Sequence, residues 1–292
     1  MASVQTSTSG NLQNMSRIML AQARYTEEHN APMVGLIEKF NLGKGEYKLE
    51  IPKVAQMTAE DLTEGQDMVD SEDIDVSTIT ATTAEVGLKV IVTDTLLRQN
   101  NEDVYKIIGR QMGDAMARKK DTDIIALFPS LNGGSAIGAD NALFNLANVS
   151  GVIANAKADK FGNDLFIVHH PNAVWKLATD VGNTLSTYPL PDAFNKPAVK
   201  DYWSGIKISG VPIFEDGNIT NNTNDSGYGV IADKTAMGHL SASGRSEERE
   251  RDASLRAFEV VITEDYAVFE VDDTKGAALL YDKPNPSADA TS

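Results

Sequence analysis

The chain has 292 residues, with 26 Lys and Arg against 42 Asp and Glu, a formal net charge of -16 and no cysteine. Without cysteine there is no disulfide framework, thiolate nucleophile or Cys-based metal site. The acidic balance argues against a free-standing nucleic-acid binder, whose affinity comes mainly from Lys and Arg neutralising phosphates. It suits a protein that must stay dissolved at high concentration.

Residues 1–14 are polar and lack the basic start and apolar core of a signal peptide, and no stretch approaches the ~18 apolar residues of a membrane span. The expectation is a protein made in the cytoplasm that stays soluble. Leu12, Met15, Ile18, Met19 and Ala23 recur at helical spacing, which predicts a short amphipathic helix over 12–28 that Pro32 brings to a stop.

Tyr47, Leu49 and Ile51 alternate with Lys48 and Glu50, a strand pattern that Pro52 is expected to end. Residues 53–73 are acidic and poor in large apolar side chains. Alternation returns at Ile74, Val76, Thr78 and Thr80, and again at Val86, Leu88, Val90 and Val92. This predicts a long two-stranded arm with an acidic tip. An isolated ribbon buries too little apolar surface to be stable in water, and its open edges invite aggregation. A second subunit covering the arm resolves both problems, so the sequence already points to assembly.

A helix is predicted from Glu102 to about Phe128. Asn100 or Asn101 can cap it, acid sits in its first turn, and Val104, Ile107, Ile108, Met112, Ala115 and Met116 lie on one face. Pro129 and Gly133-Gly134 stop it. Further predictions are a helix over 149–158, a strand over 165–169, a helix from Pro171 with proline at its first position, a strand over 206–214 broken at Gly210 and Pro212, and a strand over 229–232. Residues 241–252, rich in Arg and Glu, read as a solvated connection. Residues 255–262 and 266–271 read as a hairpin turning at Thr263-Glu264-Asp265, and 277–281 as a last strand.

No residue is singled out as catalytic, cofactor-binding or metal-binding. His169 and His170 are adjacent on a strand and point to opposite faces, so they do not readily share a metal; polar residues at a strand end are the favoured reading. The run Gly133 to Gly138 follows a helix and lacks the Gly-Lys-Ser/Thr of a phosphate loop, so a flexible inter-domain loop is preferred. The carboxylates of 60–73 lack the calcium-loop pattern and read as a solvated tip. Such a tip could also pair with basic residues of a neighbour, Arg118, Lys119 and Lys120 or Arg245, Arg249 and Arg251, which would set register and partner choice more than affinity.

The element order, with the segments Val90, Thr93, Asp94, Leu96, Leu97, Arg98, Asn100 and Gly109, Met112, Ala115, Arg118, Asp121, Ile124, Ile125, Leu127, resembles the HK97-type coat protein of tailed bacteriophages. The run Gly210 to Phe214, followed by 229–232, resembles that family's later strands. The resemblance implies an α+β fold with an N-terminal arm over 1–42, an extended loop over 43–92, a peripheral domain with a spine helix over 93–148, an axial domain over 149–240, and return strands of the peripheral domain with a C-terminal tail over 241–292. It implies a structural subunit that self-assembles through hexamers and pentamers into an icosahedral capsid around double-stranded DNA, with scaffolding, portal and decoration proteins as partners, no membrane, no cofactor and no enzymatic activity.

Some members carry a cleaved N-terminal scaffolding segment. Here only 1–42 precedes the loop, which fits a separate scaffold, a processed chain, or no scaffold. Some members cross-link a lysine to a neighbour's asparagine; Lys44, Lys48 and Lys53 lie in the loop, where a solvated lysine is the favoured reading. The competing readings are an encapsulin-like compartment shell, a phage decoration or tail-tube protein, the latter disfavoured by the long central helix, and, less favoured, a small α/β enzyme.

Overall fold

The computed structural model describes residues 32–43, 45–54, 61, 64, 76–99, 103–187, 206–220 and 225–284. The predicted helix over 12–28, most of the acidic tip, and the caps at Asn100 and Asn101 lie outside these residues.

Two larger sheets and one ribbon carry the fold. A short helix α1 (Met33–Leu36) leads into strand β1 (Glu38–Asn41). Strands β2 (Lys48–Val54) and β3 (Val76–Thr82) pair antiparallel as the ribbon, with Val54 opposite Val76. Pro52 does not end β2; it sits inside the strand opposite Thr78. β2 is paired on one side only, so a proline whose missing N–H faces the open side costs no ladder bond.

Strand β4 (Ala84–Thr93) leaves the ribbon and joins a second sheet. The Val86–Val92 alternation therefore belongs to that sheet and not to the two-stranded arm. Helix α2 (Asp94–Gln99) follows, then the long helix α3 (Asp103–Ile125). Its 23 residues span about 35 Å at 1.5 Å per residue. Among the described side chains of its predicted apolar face, Met112 and Met116 are buried and Ile108 and Ala115 are partly buried.

The 241–252 connection and the 263–265 turn are both corrected. Residues 237–252 form strand β10 (Met237–Asp252), and 257–270 form one uninterrupted strand, β11 (Ala257–Glu270), which pairs with it antiparallel. The turn falls at 253–256. The outer half of β10 is exposed on both faces, which leaves no apolar alternation in the sequence to mark it as a strand. The sheet order is β1-β10-β11-β4, and Val86, Leu88, Val260 and Ile262 pack against Met112 and Met116 of α3.

The other sheet has six strands: β5 (Ile137–Leu143), β6 (Leu165–His169), β7 (Ile206–Ile208), β8 (Val211–Glu215), β9 (Ser226–Asp233) and β12 (Gly276–Asp282), in the order β5-β12-β9-β6-β8-β7. Helix α4 (Leu146–Ala158), capped by the Asn145 side chain on the Asn148 N–H at 2.8 Å, and helix α5 (Pro171–Thr187) go with one face. There Val152, Ile153, Val174 and Leu177 meet Leu165, Ile167, Ile213 and Ile231. Phe166, Val168, Val230 and Ala232 point the other way, onto Met33, Ile37, Ile124 and Phe128. A sheet buried on both faces reads as continuous apolar runs, which is why 165–169 and 229–232 were legible.

The Gly133–Gly138 run is not a flexible loop. After a turn at positive φ (Asn132, Gly133, Gly134), β5 begins at Ile137 and pairs parallel with β12. Gly138 has φ +100°, and a Cβ there would lie 2.4 Å from the Leu280 carbonyl, so glycine is needed for the strands to meet. Ser209 and Gly210, both at positive φ, make the tight turn joining β7 to β8.

Candidate assembly surfaces

The ribbon is the first surface. On one face, Leu49, Ile51 and Ala81 are partly or fully covered by the chain's own fold. The other face and the root leave large apolar groups in solvent: Tyr47 is 71% exposed, Val54 55% and Val76 50%. Scattered exposed apolar groups are ordinary, but a cross-strand pair of exposed valines at one end of the ribbon and an exposed tyrosine at the other, on two strands that pair with no third strand among the described residues, make an unsatisfied surface. The ribbon is nonetheless aimed. Lys53 Nζ donates to Asp272 Oδ1 at 2.7 Å, beyond the end of β11. Burial alone would raise the Asp272 carboxyl, but hydrogen bonds from Lys53 and Thr274 hold it below its usual range. Lys48 pairs with Glu50.

The second surface is the outer half of the β10–β11 hairpin. β1 covers β10 only over 238–241, so among the described residues the β10 edge from Ser243 to Asp252 has no partner strand. Two register irregularities and a run of charges, Glu247 to Asp252, mark it as an edge protected against indiscriminate pairing. Leu255 stands exposed at the turn.

Four of the six basic residues named as partners for a neighbour's acidic tip are already engaged within the chain. Lys119 pairs with Asp123, Lys120 with Glu264, Arg249 with Glu247, and Arg251 with Asp94 at 3.0 Å. A neighbour's carboxylates would have to compete with these pairs.

His169 and His170 do not converge. The His169 ring is buried against Phe144, with ring centroids 4.9 Å apart, and its Nδ1 accepts the His170 N–H at 2.8 Å. Burial, with His170 and Lys283 nearby, lowers its pKa to about 3, so the ring is neutral. Among the described residues no group of three or more His, Asp or Glu is placed to hold a metal, and no helix is long and apolar enough to cross a membrane.

The sequence reading did not single out Asp216 and Asn218, which meet Asp121 of α3 in the interior: Asn218 Nδ2 donates to Asp121 Oδ2 at 3.0 Å. A lone Asp-x-Asn after a strand carries no signal by itself.

The sheets, the long helix bridging them and the uncovered ribbon define a shell-forming protein, and comparison with known proteins agrees. The sequence profile of the family described as "Phage capsid protein" matches residues 76–280, and the chain belongs to that family. No curated protein matches it. Among solved structures, the head of Helicobacter pylori bacteriophage KHP40 is similar at TM-score 0.71 and 11% identity, over 97% of this chain and 100% of that one. The capsid of a native GTA particle gives TM-score 0.65 at 12% identity, over 91% and 98%. The SrpI encapsulin of Synechococcus elongatus gives 0.64 at 12%, over 98% of each. At such identities the likeness is one of fold, and the fold is the HK97-like capsid fold. The protein is a structural subunit of a self-assembling bacteriophage capsid and a component of the virion.

Proposed function

We propose that the subunit closes through hexamers and pentamers into an icosahedral shell around a double-stranded DNA genome, which it encloses without reading its sequence. The observation that carries this is the β2–β3 ribbon, whose exposed Tyr47, Val54 and Val76 need a cover that a second copy supplies. In this reading residues 1–42 are an arm reaching neighbours, 43–92 the extended loop lying on an adjacent subunit, 93–148 the peripheral domain around α3, 149–240 the axial domain at the symmetry axes, and 241–292 the return strands and tail. Many weak repeated contacts closed by symmetry hold the shell. Assembly takes place in the host cytoplasm, with scaffolding, portal and decoration proteins as separate partners. The work is mechanical and involves no catalysis or cofactor. A net charge of -16 keeps the wall from gripping the packed genome.

Electron microscopy of the purified chain after sedimentation through sucrose tests the reading. Closed particles, tubes or capsomer-sized rings are expected. A compact monomer, unchanged on concentration and on co-expression with neighbouring phage genes, overturns it. The similarity to the SrpI encapsulin over 98% of both chains favours one second reading, a compartment shell around a protein cargo. Nucleic acid inside the native particles supports the first reading, and a co-purifying cargo enzyme the second.

A further inference from the structure

Two carboxyl groups are buried together where the N-terminal segment enters the fold. Asp121 lies on α3 and Asp216 directly follows β8, and neither exposes any surface. Asp121 Oδ1 accepts the N–H of Met33, the first residue of α1, at 3.2 Å. Its Oδ2 accepts the Asn218 side-chain amide at 3.0 Å. Asp216 Oδ1 accepts the Asn218 backbone N–H at 2.9 Å, and the Asp216 N–H donates to the His169 carbonyl at 3.1 Å. Asp216 Oδ2 is then left buried with no donor directed at it among the described residues. An acceptor without a donor in a dry site is costly, and two ionised carboxylates side by side more so.

Among the described residues, the surrounding elements bring no cation to relieve this. α1 carries no titratable residue, and Glu38 and Lys39 belong to the next strand, β1. On α3, Arg118 is exposed one turn away, and Lys120 is held by Glu264. From β6 comes His169, whose ring is neutral. β8 brings the exposed Glu215. Lys283, after β12, gives its ammonium to the Ile219 carbonyl at 2.9 Å. Among the described residues, the charged group acting on Asp216 is Asp121. A proton on Asp216 Oδ2 turns the orphan oxygen into a donor and removes one of the two charges. Burial first, then the Asp121 contact, accordingly pushes the Asp216 carboxyl up to about 8.

We propose that Asp121 and Asp216 share a single proton, and that this proton fastens the root of the N-terminal segment, at Met33, to α3 and the six-stranded sheet in a pH-dependent way. Loss of the proton leaves two negative charges in the interior. The relief is an opening that hydrates Asp216, loosens Asn218 and withdraws support from the Asp121 carboxylate that holds the Met33 N–H. Met33 opens α1, so the proton sets how firmly α1 is anchored to α3.

Hydrogen exchange of the full-length chain tests this, with protection at residues 33–40 corrected for the intrinsic pH dependence of exchange. The open state ionises Asp216 at an ordinary carboxylate pKa, so protection should fall about tenfold per pH unit between roughly pH 5 and pH 8 and then level off. Asp216→Asn should flatten the dependence. A pH-independent wild type, or an unchanged slope in Asp216→Asn, overturns the proposal. Should that variant fail to fold, infrared titration of the wild type decides: a carboxylic-acid C=O band present at pH 6 and lost by pH 9 supports the shared proton, and its absence at pH 6 overturns it. Protection at pH 8 that rises with Ca2+ or Mg2+ and falls with EDTA would put a metal ion where the proton is placed, and also overturns it.

Discussion

Lys120 on α3 and Glu264 on β11 form an ion pair that fastens the long helix to an inner strand of the four-stranded sheet, and both side chains are largely buried. Around it, the Tyr266 hydroxyl donates to Asp123 at 2.7 Å, and the His239 ring stacks on Tyr266 with centroids 5.6 Å apart. Burial, followed by Asp123, drives the Tyr266 hydroxyl well above its ordinary pKa, so it stays a donor at any physiological pH. This polar seam lies between the apolar contacts of Met112 and Met116 above it and those of Ile124 below.

Removing one partner of a buried pair leaves the other uncompensated. Glu264→Gln keeps the shape but strands the Lys120 ammonium, and should cost about 3 kcal/mol in urea unfolding of the subunit. The double replacement Lys120→Met with Glu264→Leu should recover most of that loss, because two apolar groups leave nothing to desolvate. Equal loss in the single and double variants would mean that packing, and not charge, sets the cost.

The same glutamate shows where the sequence was opaque. Val260, Ile262, Glu264 and Tyr266 keep one period-2 phase along β11, all buried. A charged residue in that phase looks like a break until its partner 144 residues away is known. β10 was hidden because neither face of its outer half is buried. By contrast, Pro171 at a helix start, the apolar run 165–169 and the alternation of 47–51 declared themselves, since local sterics and burial on a fixed face leave a periodic trace. The ribbon's need for a cover was legible as an exposed alternating pattern. The Asp121–Asp216 pair was not, because it exists only where α1, α3 and the end of β8 meet.

The ribbon should matter to assembly and not to the fold. Val54→Lys with Val76→Lys places two cations on an exposed cross-strand pair, and subunit stability should change by no more than about 0.5 kcal/mol. Particle yield by sedimentation should fall at least about tenfold, since desolvating two lysines in an interface costs more than the 1.4 kcal/mol that a tenfold change represents. Wild-type yield would remove the ribbon from the contacts that close the shell.

His169 gives the subunit an acid-side weakness. Its folded pKa, about 3, lies below the ordinary histidine value, so the unfolded chain binds the proton more readily. The stabilisation is complete above about pH 6.5 and is lost as pH falls toward 3, amounting to about 2 kcal/mol by pH 5. His169→Phe, which keeps an aromatic ring against Phe144 and removes the titrating group, should be less stable at pH 7 because the His170 N–H loses its acceptor. It should lose correspondingly less between pH 7 and pH 5. In the wild type, proton NMR should show the His169 ring failing to titrate across that range. A normal midpoint near 6.5 would mean that the ring is hydrated.

Close backbone approach predicts a sharp contrast between two glycines. Gly229 lies in β9 beside β6, and a Cβ there would sit 2.4 Å from His169 Cδ2 and 2.5 Å from the Val168 carbonyl. Gly244 lies on the open part of β10, with nothing within 4 Å of the same position. Gly229→Ala must push apart a buried ring and a paired strand, and should cost about 3 kcal/mol, the upper end for overpacking. Gly244→Ala should be neutral or slightly stabilising, since it narrows the unfolded ensemble without a clash. Thermal unfolding of the two variants beside the wild type measures the difference. If both are neutral, the β6–β9 pair is loose enough to yield and the central sheet is softer than its packing implies. If Gly244→Ala alone lowers particle yield, the open β10 edge is covered by a neighbouring subunit.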